Sequence, residues 1–404
     1  MMKKNRLLLN ILALLLLSNT AYLRSGAQTV SGDVPPINEK LQPNERMEGE
    51  PVQFSTLKER MAHHKVPGVS IAFLKNHKIL WTYSEGVTDY KTNKPIDENT
   101  VFQAASISKP VFATVLMKYR QDHGLDLDTD VNNLLKSWNV PAYEWQENNP
   151  VTLRRLLSHS AGTTVNGFAG YASDQDVPTI IEVLQGASPA NSDAVIVDTE
   201  PGSIYRYSGG GTTLAQLVFQ DVTNMNFPQL AKTTIFDPLG MDHSRYSQPL
   251  KGDLKQNFAV PYRSNGTAVK GGAHNYSTLA AAGLWTTPSD IMRWAGRVQL
   301  AYTGDDQSVI SQKTITEMLT PQIRPVGIGF FLEGEEEITS FSHSGANEGF
   351  RANFFAHTQT GDGVAIMTNS DSGGALITEI MNRIAEIYNW SEFKPVIKTK
   401  SDLD

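Results

Sequence analysis

The alternation of hydrophobic and polar residues predicts strands near both ends of the chain and helices between them. Residues 68–86 place apolar runs on either side of Asn76-His77, a pattern typical of a β-hairpin. More strands are predicted after residue 325, in the runs VGIGFFLE, ITSFSHSG, FRANFFAHT and GVAIMTN. We therefore expect the two ends of the chain to build one sheet together.

Helical spacing of apolar residues marks the segments between and beyond these strands. The first helix is predicted from Phe54 with Ser55 as its N-cap, and another follows Lys109 and ends at Gly124, which suits a helix C-cap. Further helices are predicted over residues 227–241, 288–302 and 375–390.

This order of elements predicts an α/β domain of the α+β type, over residues 51–395. An antiparallel sheet flanked by helices would form one lobe, from about 51–115 and 285–395. Residues 116–284 would form an inserted, mainly helical lobe. A site is expected in the cleft between the lobes.

The N-terminus has the pattern of a secretory signal peptide. Lys3, Lys4 and Arg6 precede an apolar run over residues 7–17, which is shorter than the roughly 20 residues that a membrane-spanning helix needs. We predict a signal peptide over residues 1–27 and export to the bacterial periplasm, with no membrane association after cleavage. A retained N-terminal anchor is the alternative. Residues 28–50 are predicted to be an extended leader or linker.

The composition of the chain excludes several kinds of reaction and binding partner. The chain has no cysteine, which excludes disulfides, metal thiolates and a cysteine nucleophile. Its formal charge is −7, and removal of residues 1–27, with four basic residues and no acids, would leave −11, so we expect no nucleic-acid partner. The histidines are scattered and no metal-binding or phosphate-binding motif occurs, so neither a metal nor a cofactor is predicted.

A Ser-x-x-Lys motif occurs three times in the chain, as Ser55–Lys58, Ser106–Lys109 and Ser391–Lys394. Only Ser106 precedes a strongly apolar helix, which would place it on the first helical turn, within reach of Lys109 and in the positive field of the helix N-terminus. Serine needs an activating partner, and lysine is a base only where its pKa is lowered. Ser106 is therefore the candidate nucleophile, although a polar turn would explain the motif alone.

Three other segments contain candidate site residues. In GSIYRYSGGG, Tyr205 and Tyr207 adjoin a glycine run that allows close approach to a cleft, although for this segment alone a surface loop with a packed tyrosine is the favoured interpretation. In SHSGANEGF, a backbone N–H beyond Gly345 could bind an oxyanion, or the segment is only a strand end. His159, in LLSHSAG, is a further candidate, but a buried turn histidine is the favoured interpretation.

The order of these motifs resembles that of the serine β-lactamases and penicillin-recognising enzymes, and especially of their class C-like branch with its D,D-peptidases, D-aminopeptidases and esterases. The resemblance runs from about Phe54 to Asn369. The segments that carry it are VPGVSIAFLKNHKILWTYSEGVTD, TVFQAASISKPV, VTLRRLLSHSAG, YRYSGGG, FDPLGMDHS, AAAGLWTTPSDIMRW and HSGANEGFRANFF. It implies a β-lactamase/transpeptidase-like fold.

The resemblance also assigns roles to individual residues. Ser106 matches the acylated serine, Lys109 its partner base and Tyr207 the tyrosine of the Tyr-x-Asn motif. His343-Ser344-Gly345 matches the Lys-Thr-Gly strand motif, which implies contact with substrate. The oxyanion hole would be formed by the backbone N–H groups of Ser106 and Ala346.

Two residues depart from the family pattern. Gly209 replaces the asparagine of Tyr-x-Asn, and His343 replaces a lysine that would bind a substrate carboxylate. Histidine has a reference pKa near 6.5 and is mostly neutral at neutral pH. The changed site is therefore expected to favour substrates without a critical carboxylate.

The sequence thus predicts a secreted serine hydrolase that forms an acyl-serine intermediate on amide, ester or D-amino-acid peptide bonds. Its partner would be a small molecule or peptide, with a cell-wall fragment as one option. A class C-like β-lactamase or D,D-carboxypeptidase is the alternative, and a non-hydrolytic peptidoglycan- or penicillin-binding protein is the next. The oligomeric state stays open.

Overall fold

A computed structural model describes residues 34–399 and residue 402 of the 404-residue chain. The predicted signal peptide, residues 1–27, lies outside the described residues, as do residues 28–33 of the predicted leader. Over residues 34–399, no helix has both the length and the apolar character that crossing a membrane requires.

The strands are numbered along the chain. They are β1 (Glu45–Met47), β2 (Gly68–Lys75), β3 (Lys78–Asp89), β4 (Lys94–Pro95), β5 (Phe102–Gln103), β6 (Trp285–Thr286), β7 (Phe331–Glu333), β8 (Ser340–Asn347), β9 (Phe350–His357), β10 (Gly363–Thr368) and β11 (Val396–Lys398).

The α-helices are numbered in the same way. They are α1 (Leu57–His64), α2 (Ser108–His123), α3 (Leu153–Leu157), α4 (Ile180–Gln185), α5 (Gly209–Thr223), α6 (Phe227–Ala231), α7 (Asp237–Leu239), α8 (Leu279–Ala282), α9 (Pro288–Thr303), α10 (Gln312–Met318) and α11 (Gly373–Tyr388). A 3-10 turn, Ala105–Ile107, directly precedes α2.

A seven-stranded sheet in the order β4-β3-β2-β10-β9-β8-β7 joins the two ends of the chain, and every neighbouring pair is antiparallel. Helices α3 to α8 all come from the intervening part of the chain. The predicted fold class, an antiparallel sheet flanked by helices, is confirmed.

Strand β2 shows how the sheet separates two cores. Side chains alternate between the two faces of a strand. Ile71 and Phe73 therefore join the hydrophobic cluster that includes Ile380 of α11, whereas Ala72 and Leu74 join the larger cluster that includes α2, α5 and α9. Because both faces are covered, the whole of β2 reads as a nearly continuous apolar run.

The predicted hairpin is confirmed: β2 and β3 pair across Asn76 and His77, which both adopt positive φ angles. Two local predictions are wrong. Thr56, not Ser55, caps α1, because its hydroxyl accepts the Glu59 N–H while the Glu59 carboxylate accepts the Thr56 N–H. Of the run VGIGFFLE, only Phe331–Glu333 pairs as a strand.

Residues 34–50, which belong to the predicted leader, pack against the sheet domain. Ile37 and Leu41 are fully buried in the same cluster as α1 and α11, and β1 pairs in parallel with β11. The hydrophobic core on this face of the sheet therefore includes residues that precede the first predicted helix.

We expect Ile37→Ala to lower the free energy of unfolding by about 2–5 kcal/mol, because it leaves a cavity under α1 and α11. Val52→Ala, a matched change at a side chain that is 37% exposed, should alter it by less than about 0.5 kcal/mol. Urea unfolding followed by circular dichroism measures both variants. Equal losses of unfolding free energy in the two variants would show that Ile37 is not part of the cooperative core.

Candidate active site

Ser106 lies where a buried turn meets a long helix. It belongs to the 3-10 turn Ala105–Ile107 and is partly exposed, while both neighbours are buried. The turn leads directly into α2, so the serine precedes the helix proper and Lys109 occupies its first turn. The side chain of Ser106 is therefore held at the helix N-terminus, where developing negative charge is stabilised.

The amine of Lys109 links this turn to a second helix. Its Nζ lies 2.9 Å from Ser106 Oγ and donates a hydrogen bond to the carbonyl oxygen of Ala281 in α8, also at 2.9 Å. The side chain is almost wholly buried. The surroundings of the other two Ser-x-x-Lys motifs differ: Ser391 and Lys394 are both exposed, and the backbone of Ser55 pairs with that of Leu41.

Strand β8 approaches the serine turn so closely that only glycine fits at one position. A Cβ atom on Gly345 would lie 2.2 Å from the carbonyl oxygen of Ala104. This contact brings the following residue, Ala346, next to the Ser106 turn. The two N–H groups predicted for the oxyanion hole thus come from segments that lie against each other. Ser344 is exposed on the same strand.

Tyr207 covers the buried amine. The Lys109 Nζ lies 4.9 Å from the centre of the Tyr207 ring, a cation–π distance. Among the described residues, the Tyr207 hydroxyl has no hydrogen-bond partner. The structure therefore brings Ser106, Lys109 and Tyr207 together, with the face of the tyrosine ring turned to the amine.

His343 is buried beside Lys109 and is uncharged. Its Nδ1 donates a hydrogen bond to the carbonyl oxygen of Ser344 at 2.6 Å, which leaves Nε2 as an acceptor with no partner among the described residues. Burial and the charge of Lys109 lower the pKa of His343 to about 3. At neutral pH this position therefore carries no cation for a carboxylate.

The space that an asparagine side chain would need at position 209 is filled by a neighbouring loop. A Cβ atom on Gly209 would lie 2.9 Å from the carbonyl oxygen of Asn166 and 3.3 Å from the Phe168 ring. The Gly209 N–H also donates to Asn166 O at 2.9 Å. Gly209 thus serves helix α5 and its loop, and has no side chain with which to contact substrate.

Sequence reasoning did not single out two residues at this site. Phe331 in β7 packs 5.1 Å from the His343 ring and 6.3 Å from those of Tyr205 and Tyr207, between ring centres. Asn347 ties the end of β8 to α8 through a hydrogen bond from Nδ2 to Ala282 O. The alternation in β7 and β8 places them in strands, but no local pattern indicates the cross-chain contacts.

His159 is both a buried turn residue and a neighbour of the site. It is 5% exposed, and its ring centre lies 4.3 Å from that of Tyr207. Burial, followed by the charge of Lys109, holds the pKa of His159 well below its ordinary value. Two uncharged histidines therefore flank the buried amine.

We expect acid to destabilise the protein through His159 and His343. Both folded-state pKa values lie below the unfolded value of about 6.5, so the unfolded state binds more protons as the pH falls from about 6.5 toward 3. The free energy of unfolding should fall over this window, by up to about 1.4 kcal/mol per pH unit for each histidine.

Urea unfolding between about pH 7 and pH 5 measures this slope. His343→Gln cannot gain a proton in the unfolded state, so its slope should be smaller than that of the wild type, whatever its absolute stability. A slope equal to that of the wild type in both His343→Gln and His159→Gln would contradict the assignment.

Comparison with known proteins agrees with this geometry. A family model described as Beta-lactamase matches residues 55–386. Protein flp of Staphylococcus aureus (strain MRSA252) is 22% identical over 318 residues, which are 76% of this chain but only 60% of that protein. This chain therefore matches less than two thirds of the length of that relative.

Solved structures show the same fold. The octameric penicillin-binding protein homologue from Pyrococcus abyssi superposes with a TM-score of 0.69 and 24% identity, covering 84% of this chain and 76% of that one. D-amino acid amidase from Ochrobactrum anthropi SV3 superposes with a TM-score of 0.63 and 22% identity, and the superposition covers 82% of this chain and 97% of that one. The family match extends over most of the chain and includes the serine turn, the tyrosine loop and strand β8, and the chain belongs to the β-lactamase family of serine hydrolase-type proteins.

Proposed function

We propose that this protein is a serine hydrolase that forms an acyl intermediate on Ser106 and acts on amide, ester or D-amino-acid peptide bonds. The observation that carries the proposal is the 2.9 Å contact between Lys109 Nζ and Ser106 Oγ at the start of α2. A serine hydroxyl becomes an effective nucleophile when a base lies within hydrogen-bond distance. The family match supports the general class of reaction.

The reaction would proceed in two steps. Ser106 Oγ attacks the substrate carbonyl while its proton passes to Lys109, which must be a neutral amine in order to accept it, with assistance from Tyr207. The N–H groups of Ser106 and Ala346 bind the oxyanion. Lys109 or Tyr207 then protonates the leaving group as the bond to the carbonyl carbon breaks. Water attacks the acyl-serine ester, releases the acid and restores the serine.

The environment of the serine favours an uncharged substrate. The position that offers a lysine cation in the family holds the buried, neutral His343, with the Phe331 ring against it. Phe331 and Tyr205 form an aromatic edge beside Tyr207. A carboxylate placed here would lose hydration without gaining an ion pair, so we propose substrates with neutral, apolar acyl groups.

We include amide bonds as one substrate class because D-amino acid amidase shares this fold. We also propose secretion, on the N-terminal sequence pattern of residues 1–27. A small molecule or a peptide, including one released from a cell wall, would be the substrate in that compartment.

We expect Ser106→Ala to lower hydrolysis of every accepted substrate by about a thousandfold or more, because the attacking oxygen is lost. The substrates to compare are β-lactams, p-nitrophenyl esters and D-amino-acid amides, and intact-mass analysis with peptide mapping should find the acyl adduct on Ser106. Ser55→Ala and Ser391→Ala remove the serines of the other two motifs and serve as controls.

The results of these assays distinguish an acyl-serine hydrolase from a β-lactamase and from a non-hydrolytic binding protein. Full turnover by Ser106→Ala would overturn the proposal. Efficient nitrocefin turnover that depends on Ser106 would show a β-lactamase, and a stable penicillin adduct without turnover of any substrate would show a binding protein.

His343→Lys should raise kcat/KM for a carboxylate-bearing substrate such as nitrocefin, relative to that for p-nitrophenyl butyrate, by about tenfold, because it restores a cation for a charge-assisted hydrogen bond. His343→Gln also removes the imidazole but adds no charge, so it is the matched control. Initial rates on the two substrates give the ratio for each variant. Equal ratios in the two variants would show that charge at this position does not select the substrate.

A further inference from the structure

His159 holds the segment that carries Tyr207 from both sides. The residue before the tyrosine, Arg206, donates its backbone N–H to the carbonyl oxygen of His159 at 2.8 Å. The residue after it, Ser208, donates its backbone N–H to His159 Nδ1 at 3.2 Å. The imidazole ring also packs on the tyrosine ring, with the centres 4.3 Å apart. One histidine therefore contacts three consecutive residues of the tyrosine loop.

The hydrogen bonds determine which nitrogen of His159 carries the proton. A backbone N–H can only donate, so Nδ1 must be the unprotonated acceptor and the ring proton of the neutral imidazole must lie on Nε2. The neutral form is the one favoured by burial and by the nearby charge of Lys109. A protonated ring, or a side chain without an acceptor, could not hold the Ser208 N–H.

The backbone of His159 is shaped for this contact. It has a φ angle of +55° directly after helix α3, a conformation that residues other than glycine rarely adopt, although asparagine tolerates it. A strained conformation at a buried residue persists where its surroundings enforce it. Here the strain turns the chain so that both the carbonyl and the ring of His159 face the tyrosine loop.

The rest of the loop is fixed by contacts that do not reach the tyrosine ring. The Arg206 guanidinium donates to Gly162 O at 2.8 Å and to Thr163 O at 3.2 Å, and the Ser208 hydroxyl donates to Thr164 O at 2.7 Å. These bonds anchor the two neighbours of Tyr207. The Tyr207 ring itself has the rings of His159, His343 and Phe331 as neighbours, with centres 4.3, 6.0 and 6.3 Å away, and His159 is the nearest of the three.

We propose that His159 is a positioning residue for Tyr207: its Nδ1 acceptor holds the backbone beside the tyrosine, and its ring is a lesser contact. The tyrosine hydroxyl thereby keeps the place from which it assists proton transfer between Ser106 and Lys109. The proposal rests on the proposed acyl-serine function. It gives His159 no contact with substrate and no part in the transfer of the serine proton. Its effect is on the rate of acylation of Ser106.

Two substitutions separate the acceptor from the ring. His159→Phe keeps an aromatic ring without an acceptor, whereas His159→Asn places Oδ1 near the position of Nδ1 and suits the positive φ angle. We expect His159→Phe to slow acylation by p-nitrophenyl butyrate by about tenfold to a hundredfold with little change in KM, because the tyrosine is displaced and substrate contacts are not. His159→Asn should stay within about threefold of the wild type.

The control is His357→Phe, at another largely buried histidine that contacts Glu392 and Trp390. It should leave the rate per folded molecule unchanged, with the folded fraction measured by near-ultraviolet circular dichroism. If His159→Phe matches this control, or if His159→Asn is slowed as much as His159→Phe, the proposal is overturned.

A double-mutant cycle tests whether the effect of His159 depends on Tyr207. In the Tyr207→Phe background, substitution of His159 should change the acylation rate by less than about threefold, because His159 acts through the lost hydroxyl. An undiminished effect in that background overturns the positioning role. If His159→Phe does not fold, the same cycle with His159→Leu applies the test. Ser106→Ala in the same assay separates failure of the proposed function from failure of the positioning role. Full activity of Ser106→Ala would overturn the proposed function. If Ser106→Ala is inactive and the effects of the His159 and Tyr207 substitutions are additive, only the positioning role is overturned.

Discussion

The site is organised around one buried amine. Lys109 is enclosed between the Ser106 turn, the carbonyl of Ala281 and the face of Tyr207, so both of its hydrogen bonds and its cation–π contact are made inside the protein. An amine in such a place constrains every titratable neighbour, because a second positive charge nearby is costly in a poorly hydrated region. Burial, followed by the charge of Lys109, lowers the pKa values of the two surrounding imidazoles and keeps them neutral.

The two histidines have opposite proton arrangements for structural reasons. The carbonyl oxygen of Ser344 can only accept a hydrogen bond, so His343 carries its proton on Nδ1 and its Nε2 is unprotonated. The N–H of Ser208 can only donate, so His159 carries its proton on Nε2. One ring therefore offers an unused acceptor near the serine, and the other uses its acceptor to hold the tyrosine loop.

The comparisons with known proteins establish the fold and the family, but they do not identify the substrate. The sheet, the helices and the family are established by the match over residues 55–386 and by solved structures with the same fold. Relatives with this fold include an amidase and penicillin-binding protein homologues, so the fold leaves the substrate open. Gly209 and His343 depart from the motifs of the family that the sequence resembles, and Phe331 packs against His343.

The sequence by itself determined the sheet-forming ends of the chain, the β2–β3 hairpin and the helix that follows Lys109, because these depend on local periodicity and turn residues. It also singled out Ser106 among three equal motifs, since an apolar helix follows only that one. Contacts between distant segments have no local signature. Only the tertiary structure decided that Gly345 lies against Ala104, that Phe331 borders His343, that a loop fills the space beside Gly209 and that His159 holds the residues on either side of Tyr207.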